Sequence, residues 1–398
     1  MADTPLDGYV ILDFTQFYQG PYATMMAAKA GADVIKIEPP KGESLRHMAP
    51  PGKTGSYPVA ALNANKRGIT LDLKHVEGKS LLKRMVRKAD AVVENYAPGV
   101  MDRLGVGWSV LHAENPRLVY VSGTGFGLSG PDRDNLAMDF TIQAASGVMS
   151  LTGMADGPPM RTGAPYVDIL GGAHLYAGLT TALLQRERTG KGRLVEIAMV
   201  EAVFPALATA IDQYHRAGKK VPGRTGNAFA NFNRAPYNVY EASDGHVAII
   251  LVTETQWQNL LRAMGREDLA ESPRFINNDA RVAHYRETED LVSGWTKSHN
   301  RAEIFAATSR YKIPCAPVRD LQEMLDDPHM HGRGMLEVVD HYDYGPVVLP
   351  NSPLRFHDTD RVATKLSPRV GEHNEEIYGG WLGLSATEIN HLRATGVI

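Results

Sequence analysis

The chain has 398 residues, 43% hydrophobic and 22% charged, enough for one large or two ordinary folded domains and too apolar for a disordered chain. A formal net charge of −3 excludes a general nucleic-acid binder, which carries a strong basic excess. The one cysteine, Cys315, excludes an intramolecular disulfide and a multi-cysteine metal site and fits a reducing cytoplasm; in YKIPCAPV it reads as buried filler rather than a nucleophile.

The opening MADTPLDGYV lacks the basic, apolar and cleavage regions of an export signal, and no run of about 18 apolar residues occurs, so neither export nor a membrane span is expected. Apolar runs at Tyr9 to Phe14 and Ala32 to Ile37 flank a helical pattern from Pro21 to Ala30, which predicts strand, helix, strand. The alternation continues through Gly68 to Leu73, Glu77 to Ala89, Ala91 to Glu94 and Leu118 to Ser122, the signature of a Rossmann-like α/β domain with a parallel sheet. Gly123 to Gly127 after that last strand misses the GxGxxG spacing, and Leu128 to Pro131 breaks a helix rather than opening one.

Further on, Leu170, Ala173, Tyr176, Ala177 and Leu183 form a helical apolar stripe with Asp168 at its N-terminal edge. An acid there serves as an N-cap or has a chemical task; local pattern leaves both open. His174, six residues on, falls roughly opposite Asp168 and reads as a packed or solvated helix histidine. A strand at Arg193 to Ile197 runs into a helical pattern from Met199 to His215. The Gly-, Asn-, Arg- and Pro-rich stretch 219–238 reads as a linker. Residues 1–218 are thus the first part of a large domain, 239–328 a smaller α+β domain, and 329–398 a segment returning to the first. In the small domain, Gly245 to Val252 reads as a strand, and Thr255 to Met264, Glu287 to Ser298 and Arg301 to Thr308 as helices. Strand Val347 to Leu349 and a closing helix, Ala386 to Ala394, follow.

Six landmarks in one order carry a resemblance: Gly20-Pro21, Gly31 to Glu38, Asn65-Lys66-Arg67, Glu94-Asn95-Tyr96, the Asp168 segment and Gly190-Lys191-Gly192. Across nearly the whole length the chain resembles the class III coenzyme A transferases. The resemblance implies ring-shaped two-domain subunits interlocked as a homodimer, with Asp168 as the nucleophile that forms a mixed anhydride and then an aspartyl-CoA thioester. It implies CoA contacts at Tyr18, Gln19, Leu71, Asp72, Leu73, Lys74, Asn95, Tyr96, Ala97, Arg103 and Leu136 to Asp139, including Met138. Lys74 and Arg103 are natural phosphate partners. Coenzyme A and its acyl thioester are substrates, with no permanently bound cofactor and no metal.

Gly163, Gly171, Gly172 and Ala173 leave room for a thioester near Asp168, or serve close helix packing. Asn231, Asn233 and Arg234 in NAFANFNRAPY suit recognition of an acid, and a guanidinium suggests a dicarboxylate such as succinate; Arg234 otherwise ties the linker to a carbonyl. Two departures stand out. Pro39-Pro40-Lys41 replaces an arginine that some relatives use for CoA, and Tyr18 replaces the glutamine of formyl-CoA:oxalate members, whose glycine run is also missing near Arg224 to Asn238. Oxalate is therefore not the expected acceptor. An α-methylacyl-CoA racemase is the alternative on this fold, but Met138 stands where its histidine belongs, and methionine exchanges no proton. A non-catalytic acyl-CoA-binding subunit is a third reading, against which Asp168 speaks. No Walker loop, HExxH or GxSxG elbow occurs.

Overall fold

The computed structural model describes residues 4–398; residues 1–3, where the segment read for an export signal begins, lie outside it. The chain runs β1 (Val10–Asp13), α1 (Gln19–Lys29), β2 (Asp33–Glu38), β3 (Arg67–Thr70), α2 (Val76–Val86), β4 (Ala91–Glu94), β5 (Val119–Thr124), α3 (Asp139–Ala145), α4 (Tyr166–Thr189) and β6 (Leu194–Ala198), with short helical turns between. The six strands form one parallel sheet in the order β3-β2-β1-β4-β5-β6. Leu12 lies beside Ile35 and Val92, and Val121 beside Val195. This is the doubly wound order whose strand direction of growth reverses between β1 and β4.

Period-two alternation sorts the strand side chains onto two cores. Ile11, Val34, Val93 and Val121 pack under Ala23 and Ala27 of α1 and Leu175, Leu179 and Leu183 of α4. Leu12, Ile35, Ile69 and Val92 face Leu82 and Met85 of α2 and the C-terminal residues Tyr378, Ile389 and Leu392. Among the described residues α4 alone is long and apolar enough to cross a bilayer, which the sequence pattern did not reveal; its buried side packs on α1 and the sheet, as a core helix does. α1 and α4 approach closely because of Gly171 and Gly172. A Cβ on Gly172 would stand 2.5 Å from the Gln19 carbonyl oxygen, and one on Gly171 would stand 3.1 Å from Gln19 Nε2. Of the two readings of these glycines, helix packing is the one seen; Gly163 has no neighbour within 4 Å of such a Cβ.

The second compact unit comprises Gly147–Gly163 and Ala206–Met324. It contains β7 (Tyr237–Ala242), β8 (Gly245–Ile250), α5 (Glu254–Met264), α6 (Tyr285–Lys297), α7 (Arg301–Arg310) and β9 (Cys315–Pro317). Its sheet is antiparallel, β7-β8-β9, over a core of Val247, Ile249, Trp257, Leu260, Val292 and Ile304. Reciprocal capping boxes start α5 (Thr253 with Gln256) and α7 (Asn300 with Glu303). Cys315 is half-buried and burial pushes its thiol up, the behaviour of filler rather than of a reactive cysteine.

This division differs from the one expected. The unit begins at 206, not 239, because Pro205 interrupts the helical run from Met199, which breaks into Met199–Val203, a 3₁₀ turn at Phe204–Leu207 and Ala208–Arg216. The 219–238 stretch is not a free linker but part of the unit. Arg224 Nε donates to the Met154 carbonyl at 3.2 Å, and Gly226 N donates to the Gly153 carbonyl at 3.0 Å. These bonds draw 147–163 into the same body. From Leu325 the chain rejoins the first unit through β10 (Leu336–His341), β11 (Gly345–Pro350) and the closing α8 (Ala386–Ala394). Tyr378 Oη donates to the Thr70 carbonyl there at 2.7 Å.

Candidate active site

The site grows from the C-terminal end of β1. Asp13 is fully buried, and burial alone would raise its pKa; the Lys66 and Lys36 ammonium groups outweigh that and hold it at about 2. Its Oδ1 accepts from Thr15 N at 2.8 Å, and its Oδ2 from Thr24 Oγ1 at 2.7 Å and Lys66 Nζ at 2.9 Å. Lys36 Nζ donates to the Thr15 carbonyl and lies 3.4 Å from Glu43, while Glu38 takes Arg46 in a bidentate pair at 2.7 and 2.8 Å. The landmark residues Lys36 and Lys66 therefore fix the start of the loop, at the Thr15 carbonyl and at Asp13, while Glu38 anchors Arg46. Gly20 fits against Thr15, whose Cβ would lie 2.3 Å from any Cβ placed there. Phe17 sits in that loop at φ +62°, a left-handed conformation costly for a bulky side chain and typical of functional sites.

At the reversal point the loops after β1 and β4 part, and Asn95 holds them in register: its Oδ1 accepts from Gln16 N at 2.7 Å and its Nδ2 donates to the Gln16 carbonyl at 3.0 Å. Ligands of doubly wound sheets lie in this crevice. Two cavities occupy it and share Gln16 and Tyr96. The first, about 530 Å³, is lined by Phe14, Leu71, Asp72, Leu73, Lys74 and Lys41 among others. The second, about 380 Å³, holds Asp168 with Gln19, Ala97, Gly123 to Gly125, Met138 and Met199. Together they offer a trough of ligand size, apolar along its walls and cationic at the Lys41 and Lys74 end.

Asp168 is the third residue of α4, not its N-cap; the N-cap is Pro165, which makes no side-chain cap. The capping is done from α3. Asp139 Oδ2 accepts from Val167 N at 2.8 Å and Asp168 N at 3.1 Å, and its Oδ1 accepts from Gln143 Nε2 at 2.6 Å. Asp139, expected among the CoA contacts, has its carboxylate engaged in this way instead. Among the described residues the Asp168 carboxylate has no hydrogen-bond or ion-pair partner. Burial, then the Asp139 charge, push it up to about 7. The same carboxylate, after burial, pushes up the half-buried Tyr18 phenol, which places Tyr18 within its field. A carboxylate left unpaired and pushed up in a ligand-sized cavity marks a candidate functional group.

Of the expected contacts, Gln19, Asn95, Tyr96, Ala97 and Met138 line the Asp168 cavity, and Leu71 to Lys74 line its neighbour. Arg103 is exposed and lines neither; its Nη1 and the Nη2 of Arg133 would stand 3.2 and 3.8 Å from a Cβ on Gly99. Lys41 does reach the trough despite the Pro39-Pro40 departure. In the second unit Arg234 Nη1 donates to the Val252 carbonyl at 3.2 Å and its guanidinium lies 5.8 Å from the centre of the Phe229 ring, while the Asn233 carbonyl accepts from Asn278. That is the tie to a neighbouring carbonyl rather than a free acid-recognising group. His174 is exposed and bonds the Leu170 carbonyl at 2.9 Å. Sequence reasoning passed over Gln16, Phe17, Arg133 and Met199, and set Gly123 to Gly125 aside as a failed dinucleotide loop. The glycines gave the one usable signal, since they follow a sheet strand at its ligand-binding end.

The model of the CoA-transferase family III matches residues 6–374. The chain is 36% identical over 399 residues to the succinyl-CoA–D-citramalate CoA-transferase of Chloroflexus aurantiacus, covering 99% of this chain and 98% of that one. It is 36% identical over 414 residues to the formyl-CoA:oxalate CoA-transferase of Streptomyces coelicolor, with both chains fully covered. A crystal structure of a CAIB/BAIF family protein from Brucella suis superposes with a TM-score of 0.84 at 34% identity, covering 95% of this chain and 99% of that one. A Rossmann-like sheet, a ligand-sized crevice at its reversal point and full-length similarity to named CoA-transferases converge: the chain is an enzyme of the CoA-transferase family III.

Proposed function

We propose that this CoA-transferase moves coenzyme A between carboxylic acids through covalent intermediates on Asp168. An Asp168 oxygen attacks the donor thioester carbonyl and CoA leaves as thiolate, giving an acyl-aspartyl anhydride. The thiolate then attacks the aspartyl carbonyl, releasing the donor acid and leaving an aspartyl-CoA thioester. The acceptor acid reverses the sequence. Each step exchanges one acyl bond for another with no net proton transfer, so the carboxylate itself supplies all the covalent chemistry. The observation that carries this reading is the unpartnered, half-buried Asp168 carboxylate in a cavity joined to a lysine-ended trough.

A dicarboxylic acid such as succinate fits best as one of the acids. Two similar enzymes are named for dicarboxylates, and Arg133 supplies a cation in the Asp168 cavity for a second carboxylate. Lys41 and Lys74 fit the CoA phosphates. Racemisation is the weaker reading, because Met138 carries no proton and the Asp139 carboxylate is occupied at the start of α4. A non-catalytic subunit is weaker still, since it needs no such aspartate. Interlocked homodimers acting in the cytoplasm, without nucleic-acid or membrane partners, complete the proposal.

The test is intact mass after incubation with a panel of acyl-CoA thioesters, with and without hydroxylamine, followed by peptide mapping. A hydroxylamine-labile adduct on Asp168, absent in Asp168→Asn, is the expected result. Deuterium entering the α-carbon of a branched acyl-CoA with no adduct on any member of the panel overturns it in favour of racemase chemistry.

A further inference from the structure

Gln19 opens α1, and its side chain is 3% exposed. Its Nε2 is buried with no hydrogen-bond partner, and no side-chain bond to Gln19 exists among the described residues. A buried amide N–H left unpaired is costly, and one that belongs to a side chain lining a ligand-sized cavity calls for a partner there. The amide is wedged rather than loose. A Cβ on Gly123, at the end of β5, would stand 2.9 Å from Oε1, and one on Gly171 would stand 3.1 Å from Nε2. Gln19 lines the same cavity as Asp168, and Gly171 lies one turn of α4 beyond Asp168. Donor and carboxylate are therefore registered to each other by a single helix.

From this geometry we infer that the Gln19 side-chain amide is a catalytic hydrogen-bond donor to the acyl carbonyl oxygen of the thioester while that oxygen carries charge. The inference rests on the Asp168 reading. As the Asp168 oxygen bonds to the carbonyl carbon, the carbonyl π pair moves onto oxygen, where Nε2–H meets it. The pair returns as the C–S bond breaks and CoA leaves as thiolate. The donor keeps its proton throughout, and the same contact serves the final step in reverse. A preorganised donor of this kind stabilises only the charged species, so its loss lowers turnover more than binding.

Gln19→Met keeps the length and removes the donor; Gln19→Glu keeps the shape and donates only when protonated. Both are compared with the wild type by adduct formation in a single turnover and by steady-state kinetics with succinyl-CoA. Gln19→Met is expected to slow both adduct formation and kcat by about 10²–10³-fold, the range for one oxyanion donor, with KM nearly unchanged. The ratio of Gln19→Glu to wild type is expected to recover as pH falls from 8 towards 5. A wild type that acquires the Asp168 adduct beside a Gln19→Met variant of nearly equal rate sinks the Gln19 assignment alone. Should Gln19→Met fail to fold, a Gln19→Glu ratio that stays flat with pH does the same. A wild type without adduct removes the Asp168 reading and this one with it.

Discussion

Two aspartates of the first unit show how environment assigns tasks to one side chain. Asp13 is buried but surrounded by ammonium and hydroxyl donors, so its carboxyl is held at about 2 and stays charged. Asp168 has burial without compensation and the Asp139 charge nearby, and it is pushed up to about 7. Only the ionised form attacks a thioester, so kcat/KM for acyl-CoA is expected to rise with pH and level off above about 7, as read from a pH profile on free enzyme. The same shift acts on stability with the opposite sense. A folded-state value above the unfolded one, near 3.8, means the fold binds the proton more tightly; the stability this contributes is full below pH 4 and is lost as pH rises through 7. Asp168→Asn should therefore melt about 2–4 °C above the wild type at pH 8, the gap closing below pH 4, while turnover disappears. A wild type and variant that melt together at all pH values would remove the burial account of Asp168.

At the scale of elements, α4 is the part that positions Asp168, and its start depends on a residue far away in sequence. Pro165 offers no cap, and Asp139 from α3 supplies both acceptor bonds instead. Asp139 is thus a positioning residue whose two functions separate by substitution. Asp139→Ala removes the cap and should cost about 1 kcal/mol of stability and lower kcat at least tenfold with little change in KM. Asp139→Asn keeps an acceptor oxygen but deletes the charge that raises Asp168, so the acid limb of the pH profile should move to lower pH with kcat largely retained. An unmoved limb in Asp139→Asn would show that the Asp139 charge does not reach Asp168. The strands and helices of the first unit were legible because periodicity records which face is buried: Ala91–Glu94 and Ala386–Ala394 fall where expected, whereas the strand expected to Leu73 ends at Thr70 and the helix expected to Ala89 ends at Val86. The local pattern around Asp168 left an N-cap and a chemical task both open, and the resemblance along the rest of the chain singled it out. The engagement of Asp139 was not legible, since a side chain capping a helix 28 residues on leaves no local pattern. Nor was Gly171's close fit to Gln19, which depends on how α1 and α4 meet. Lys36, Glu38 and Lys66 looked like family markers; each is a member of a buried ion pair, and Lys36 and Lys66 fix the start of the loop after β1.

For the whole molecule, the proposed interlocked homodimer makes the strongest demand. The first unit leaves large apolar side chains in water: Leu136 is 87% exposed, Phe140 57%, Leu184 54% and Phe204 58%. Leu184 belongs to α4, whose opposite side is already core, so this helix is apolar on more than the face the chain itself covers. Scattered apolar residues are ordinary on a monomer, but Leu136, Phe140, Leu184 and Phe204 together leave the first unit with exposed apolar side chains that a partner would cover. A second copy of the chain meets that need and, in an interlocked pair, cannot separate without one subunit opening. Light scattering at micromolar concentration is expected to give twice the 43.5 kDa chain mass. If the subunits are interlocked as proposed, mixed tagged and untagged dimers should form only after denaturation and refolding, and dilution into the nanomolar range should leave specific activity constant for hours before it declines. Leu184→Glu places a charge on that face and should lower the yield of active dimer far more than it lowers the helical circular-dichroism signal. A monomeric mass with full activity would instead leave α4 facing water and end the dimer proposal.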